Sequence, residues 1–153
     1  LRTLSKSYSL AGMRLGFAVA QEELINGMMK VKDSYNVDRL SMASAVAALD
    51  DQETFKQNVS RIIKTREHLI YSLKELGFFV YPSQSNFVMI RCKDSYEAKE
   101  IYRELKERKI LVRYIDQPRL DDCLRITVGT DEEIDTLLKE LADIQLVLLN
   151  QNS

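Results

Sequence analysis

Between Phe55 and Leu76 the apolar residues Phe55, Val59, Ile62, Ile63, Leu69, Ile70, Leu73 and Leu76 recur three and four positions apart, and Gly77 follows at once. That spacing predicts one long amphipathic helix, because residues three and four apart share a face when a turn takes 3.6 residues. Gly77 is suited to end it. A helix with one oily face needs a second layer to cover it, and the residues after Gly77 supply candidates. Phe78 to Tyr81 and Asn86 to Cys92 read as strands separated by a Pro82-Ser83 turn, and Ile110 to Ile115 and Leu124 to Val128 read as two more. A helix with Ala98, Ile101, Tyr102 and Leu105 on one face is expected after an Asp94/Glu97 capping pair. A last helix through Ile134, Leu137, Leu138, Leu141, Ile144 and Leu148 is expected after a Thr130/Glu133 capping box. Strands covered by helices on one face make an α+β layer, here about residues 53–149.

The first 52 residues read differently. Arg14 to Ala20 is short and apolar between Gly12 and Gln21, as expected of a buried strand. Glu22 to about Lys32 has helical spacing through Leu24, Ile25, Met28 and Met29, and the pattern stops in the turn-forming residues Ser34 to Asp38. Ser41 to Leu49, rich in alanine, predicts a tightly packed helix. The boundary between the two regions is expected near Asp50 to Glu53. With 22 basic and 23 acidic residues the chain carries no electrostatic footprint for nucleic acid or an anionic membrane, which leaves small molecules or another protein as partners. No apolar run reaches the roughly 18 residues of a membrane span and no charged-then-apolar leader is present, so a cytoplasmic location is expected. Cys92 and Cys123 lie in apolar strand-like contexts, where free thiols behave as small hydrophobes, and neither a disulfide nor a metal site is expected. His68, between Glu67 and Leu69 on the long helix, is expected on a solvated face.

The densest chemistry runs from Arg2 to Gly16, where Lys6 stands among small hydroxyl residues and Arg14 follows eight positions later. Lysine condenses with carbonyl groups, and arginine offers a planar, permanently charged fork that matches phosphate oxygens. In an extended segment Thr3 and Ser5 share one side, so both hydroxyls face the anion that Arg14 neutralises, and Lys6 points the other way. Such a set suits a phosphorylated aldehyde. Gly12 and Gly16 are expected to let the backbone turn and approach its neighbours closely. The plainer readings are a solvated lysine, an arginine paired with a carboxylate, and hydroxyls bonded to backbone. Arg125 lies in an otherwise apolar strand, where a guanidinium is costly unless an anion meets it. Arg113 is a second candidate for a substrate anion. Surface ion pairs are the alternative for both.

The segment around Lys6 resembles the cofactor-lysine segment of the fold-type I, pyridoxal-phosphate-dependent aminotransferases, and most of all their histidinol-phosphate branch. Ile110-Leu111-Val112-Arg113 and Cys123-Leu124-Arg125-Ile126-Thr127-Val128-Gly129-Thr130 resemble that family's C-terminal pair of substrate-binding strands, with Ser85-Asn86-Phe87 between in matching order. The likeness covers essentially the whole chain. It implies an α/β fold: residues 1–52 as a remnant of the large pyridoxal-phosphate-binding domain, and residues 53–153 as the small C-terminal α/β (α+β) domain. It implies pyridoxal 5'-phosphate as cofactor and Lys6 as the catalytic lysine, first a tether and then a proton carrier between the substrate's α-carbon and the cofactor's C4′. Thr3, Ser5 and Arg14 would hold the cofactor phosphate and Arg125 a substrate α-carboxylate. Arg113 would contact that carboxylate or a distal phosphate, and Asn86 would orient Arg125 unless it is a strand-end amide satisfying backbone. Tyr8, at a phenylalanine-like position, is expected to pack.

The implied reaction moves nitrogen between histidinol phosphate and 2-oxoglutarate in histidine biosynthesis, with amino-acid and 2-oxo-acid substrates and a homodimer as the working assembly. Leu1 enters directly on the motif without an initiator methionine, so the chain is expected to be the C-terminal portion of a longer polypeptide and inactive alone. The aspartate that partners the cofactor's ring nitrogen, the residues stacking on its ring and a tyrosine from the neighbouring subunit would then lie upstream. The spacing from Arg113 to Arg125 is slightly shorter than the family's. Two alternatives stay open: another fold-type I enzyme, either an aromatic aminotransferase or a phospho-amino-acid decarboxylase, and a non-catalytic packing or dimerisation module.

Overall fold

The computed structural model describes residues 1–92 and 97–151. Its internal contacts divide it into two units, residues 1–60 and 61–153. In the first, β1 (Arg2–Thr3) pairs antiparallel with β2 (Gly16–Phe17), and a 3₁₀ turn, Ala11–Met13, lies between them. Helices α1 (Glu22–Val31) and α2 (Arg39–Asp50) follow, then the start of α3 (Gln52–Glu75). Gly16 is demanded by the pairing, since a Cβ there would lie 2.6 Å from the Arg2 carbonyl oxygen. Gly12, expected to serve the same purpose, faces open space.

Two expectations for this unit need correction. The buried strand from Arg14 to Ala20 is reduced to two exposed residues, with Phe17 49% exposed. Burying a strand takes neighbours at its edges and layers on its faces, and β2 has one two-residue partner. α2 forms as expected, but only Ser41 and Ala45 on it are buried, so it is not tightly packed. Its start is well specified. Asp38 Oδ1 accepts from the N–H groups of Leu40 (2.9 Å) and Ser41 (3.0 Å). Ser41 Oγ stands 2.6 Å from Asp38 Oδ2 and 3.1 Å from the Met13 carbonyl, either of which its single hydrogen can serve. The Ser41 hydroxyl, followed by the cap N–H bonds, holds the Asp38 carboxyl below its ordinary value.

The second unit is a four-stranded antiparallel sheet in the order β3 (Phe79–Val80), β4 (Phe87–Arg91), β6 (Cys123–Thr127), β5 (Arg113–Tyr114), with α4 (Ala98–Glu107) and α5 (Asp131–Gln151). Val88 and Ile90 of β4 and Leu124 and Ile126 of β6 belong to one buried cluster. Leu69 and Leu73 of α3, Ile101 and Leu105 of α4, and Ile134, Leu141 and Ile144 of α5 belong to the same cluster. Strand alternation then assigns Phe87, Met89 and Arg91, with Cys123, Arg125 and Thr127, to the opposite face.

Gly77 ends α3 at φ 84°, as expected, and the Phe78 N–H donates back to the Leu73 carbonyl at 3.0 Å. Ile63, counted on the oily face, is exposed. The Thr130/Glu133 box forms: the Thr130 N–H donates to Glu133 Oε2 (2.8 Å) and the Glu133 N–H to Thr130 Oγ1 (3.2 Å). Asp94 lies outside the described residues, and Glu97 takes the N-cap position of α4 without a side-chain bond. β5 is shorter than the six residues expected, in part because the Ile110 N–H closes α4 on the Leu105 carbonyl at 2.9 Å.

Candidate functional site

The candidates fall into two groups, one in each unit. After Thr3 the chain bends instead of continuing extended. Leu4, 3% exposed, pins the bend: its N–H donates to the Leu15 carbonyl (3.1 Å) and its carbonyl accepts from Leu10 (3.1 Å). Within the loop so closed, the Lys6 carbonyl accepts from the Ser9 N–H at 3.0 Å. The bend, not strand alternation, brings the Thr3 and Ser5 hydroxyls together at 2.9 Å, with the Ser5 N–H donating to Thr3 Oγ1 at 3.1 Å. Arg14, in the left-handed region at φ 52°, spends one Nη1–H on the Ala11 carbonyl (2.9 Å). Among the described residues no carboxylate lies within ion-pair distance of Lys6 or Arg14. Tyr8 stacks on Phe55, ring centroids 4.5 Å apart.

The second group lies on the sheet face turned away from the buried cluster. Arg113 and Arg125 are direct cross-strand partners, and Met89 faces Arg125 from the other side. Arg125 has no carboxylate within ion-pair distance among the described residues, and its Nε is buried without a hydrogen-bond partner. Its guanidinium carbon stands 5.1 Å from the centroid of the Phe87 ring. Arg91, by contrast, is satisfied by Asp122 at 2.8 Å. The Asn86 carbonyl accepts from the Val128 N–H (2.9 Å) and its Oδ1 from Ser85 Oγ (3.4 Å), and the ring beside the Arg125 guanidinium is that of Phe87. Two residues overlooked in the sequence shape this strand end. Arg66 Nη1 donates to the Ser85 carbonyl at 3.0 Å, and Ser83 Oγ donates to the Phe87 carbonyl at 2.5 Å. The Ser85-Asn86-Phe87 triplet was the available signal for Phe87, but the register pairs Arg125 with Met89, and only the side-chain geometry shows the Phe87 ring under Arg125.

Cys92 and Cys123 are buried, and burial pushes their thiols up to about 12 and about 11, so neither is a nucleophile near neutral pH. His68 is half exposed, 3.3 Å from Asp135. Among the described residues no cluster of three His, Cys, Asp or Glu could hold a metal, and no helix is long and apolar enough to cross a membrane.

Comparison with known proteins decides the family. The family described as aminotransferase class I and II matches residues 1–141. The chain belongs to the class I and II aminotransferases. It is 49% identical over 144 residues to histidinol-phosphate aminotransferase 1 of Nostoc sp., covering 94% of this chain and 40% of that protein. To the histidinol-phosphate aminotransferase of Synechocystis sp. it is 51% identical, covering 94% and 41%. The crystal structure of histidinol-phosphate aminotransferase from Sinorhizobium meliloti in complex with pyridoxal-5'-phosphate superposes with a TM-score of 0.84 at 29% identity, covering 99% of this chain and 41% of that one. A putative aminotransferase from Burkholderia pseudomallei gives 0.85 at 34% identity, covering 94% and 44%. The mixed helix and sheet architecture is thus that of fold-type I aminotransferases, and this class I and II chain spans about 40% of the length of the curated relatives it matches.

Proposed function

We propose that the chain is part of a pyridoxal-phosphate-dependent aminotransferase that exchanges nitrogen between histidinol phosphate and 2-oxoglutarate. The observation that carries this reading is the donor set around Lys6. Two hydroxyls 2.9 Å apart, and a guanidinium and an amine that form no ion pair among the described residues, fit a phosphorylated aldehyde. The relatives at 49% and 51% identity support the choice of substrate. On this reading Arg14, Thr3 and Ser5 would hold the phosphate of pyridoxal 5'-phosphate, and Lys6 would hold its aldehyde end. When bound, the cofactor supplies an electron sink for negative charge at the substrate's α-carbon. The ε-amine of Lys6 would be the base that takes and returns the proton at the substrate's α-carbon. Arg125 binds the carboxylate of the 2-oxo acid, and Arg113 lies beside it for a second anionic group. Asn86 keeps the strand end in register through its carbonyl.

Residues 1–52 would belong to the large cofactor-binding domain and residues 53–153 to the small C-terminal domain of a cytoplasmic homodimer. The test is borohydride fixation of pyridoxal phosphate on the intact protein, followed by peptide mapping and a turnover assay with histidinol phosphate. The expected adduct is on Lys6, Lys6→Ala should abolish both adduct and turnover, and absence of the adduct would refute the enzyme reading. An adduct without turnover of histidinol phosphate would move the substrate to an aromatic amino acid or a phosphorylated one.

A further inference from the structure

Among the described residues no carboxylate orients the Arg125 guanidinium, and its Nε is buried without a hydrogen-bond partner. What it does have is the Phe87 ring, 5.1 Å from its Cζ. We propose that Phe87 is the positioning residue for Arg125, holding the guanidinium against its π face so that the terminal N–H groups are presented to a substrate anion. This rests on the reading of Arg125 as the carboxylate-binding arginine. A carboxylate partner would also orient the arginine, but it would neutralise the charge and occupy the N–H groups the substrate needs. An aromatic ring attracts the cation through its quadrupole and accepts none of those bonds strongly, so it fixes direction and leaves the fork free.

The surroundings push the same way. Arg113, directly opposite on β5, repels Arg125 from that side, while Phe87 lies toward β4 on the other. The ring stands on backbone that is itself tied down. Ser83 Oγ donates to the Phe87 carbonyl and accepts the Ser85 N–H (3.1 Å), and Arg66 holds the Ser85 carbonyl at 3.0 Å. The strand end carrying Phe87 is thus braced before any substrate arrives.

The test compares Phe87→Leu, Phe87→Trp, Arg125→Gln and the double variant Phe87→Leu/Arg125→Gln in the intact, cofactor-loaded protein, with 2-oxoglutarate as the varied substrate. Phe87→Leu should raise KM about tenfold with kcat within about twofold, and Phe87→Trp should restore KM to within about twofold. In the Arg125→Gln background Phe87→Leu should add nothing, because a residue that acts through another has no effect once its target is gone. An unchanged KM in Phe87→Leu, alongside a raised one in Arg125→Gln, overturns the proposal, and so does an additive effect in the double variant. If Arg125→Gln itself leaves KM unchanged, the reading of Arg125 fails, and the proposal with it. Should Phe87→Leu lose its fold by circular dichroism, Phe87→Met makes the same comparison.

Discussion

Arg113 and Arg125 face each other across β5 and β6, and like charges directly opposite weaken a sheet unless something negative stands near both. No carboxylate among the described residues does so. An added dianion such as sulfate should therefore raise the melting temperature of the intact protein by about 1–4 °C beyond an equal ionic strength of sodium chloride. Arg113→Gln should raise the anion-free melting temperature and remove most of that increment; an increment unchanged in the variant would place the anion elsewhere. Cys92 gives a second prediction, on alkaline stability. Its buried thiol is pushed up to about 12 from 9.0, first by burial and then by the nearby Cys123. Between those values the unfolded chain releases a proton that the folded one keeps, so stability present below the unfolded value is lost as pH rises. Melting temperature should fall as pH rises above about 9 toward about 12, and fall less steeply in Cys92→Ala. Equal slopes would mean that the thiol is not the group responsible.

Among the elements, α5 has the most completely specified start. Thr130 and Glu133 exchange two hydrogen bonds, and the buried Thr65 of α3 donates to Asp131 Oδ1 at 2.6 Å. Thr130→Ala should cost about 1 kcal/mol in urea unfolding with an unchanged m-value, and Thr130→Ser should recover most of it. A smaller m-value would signal instead that α5 has frayed in the native state. This capping box was legible in the sequence because its partners lie three residues apart, and the Gly77 stop was legible for the same local reason. The bend at Leu4 was not, because the Leu15 carbonyl that closes it lies eleven residues away. β2 and α2 were misjudged in burial because apolar content says that a surface wants cover, and only the neighbours decide whether it gets any. Phe87 under Arg125 was not legible because the β4 and β6 register makes Met89 the direct partner, and only the side-chain geometry brings the Phe87 ring beneath the guanidinium. The chemistry around Lys6 was readable as composition, although the geometry that joins Thr3 to Ser5 differs from the one expected.

At the scale of the whole molecule, apolar burial is very unevenly shared. Among the described residues the buried cluster draws on residues 69 to 148 alone, all within the second unit. The first unit buries Leu4, Ser41 and Ala45 and leaves Val19 84% and Leu40 76% exposed, with Met29 and Val46 more than half exposed. Hydrophobic burial is the chief favourable term in folding, so the two units should differ in what they can do by themselves. Residues 61–153 expressed alone should give a single cooperative thermal transition, and Leu141→Ala in that segment, at a fully buried position, should cost about 2–5 kcal/mol. Residues 1–60 alone should exchange their backbone amides without measurable protection and bind a hydrophobic dye, because few of their apolar side chains find cover within the unit. Protected amides in α1 or α2 of the isolated first unit would contradict this. They would mean that local helix propensity and the Asp38 cap suffice where buried area is small, against the expectation that helices of ten or twelve residues are marginal in water without tertiary packing.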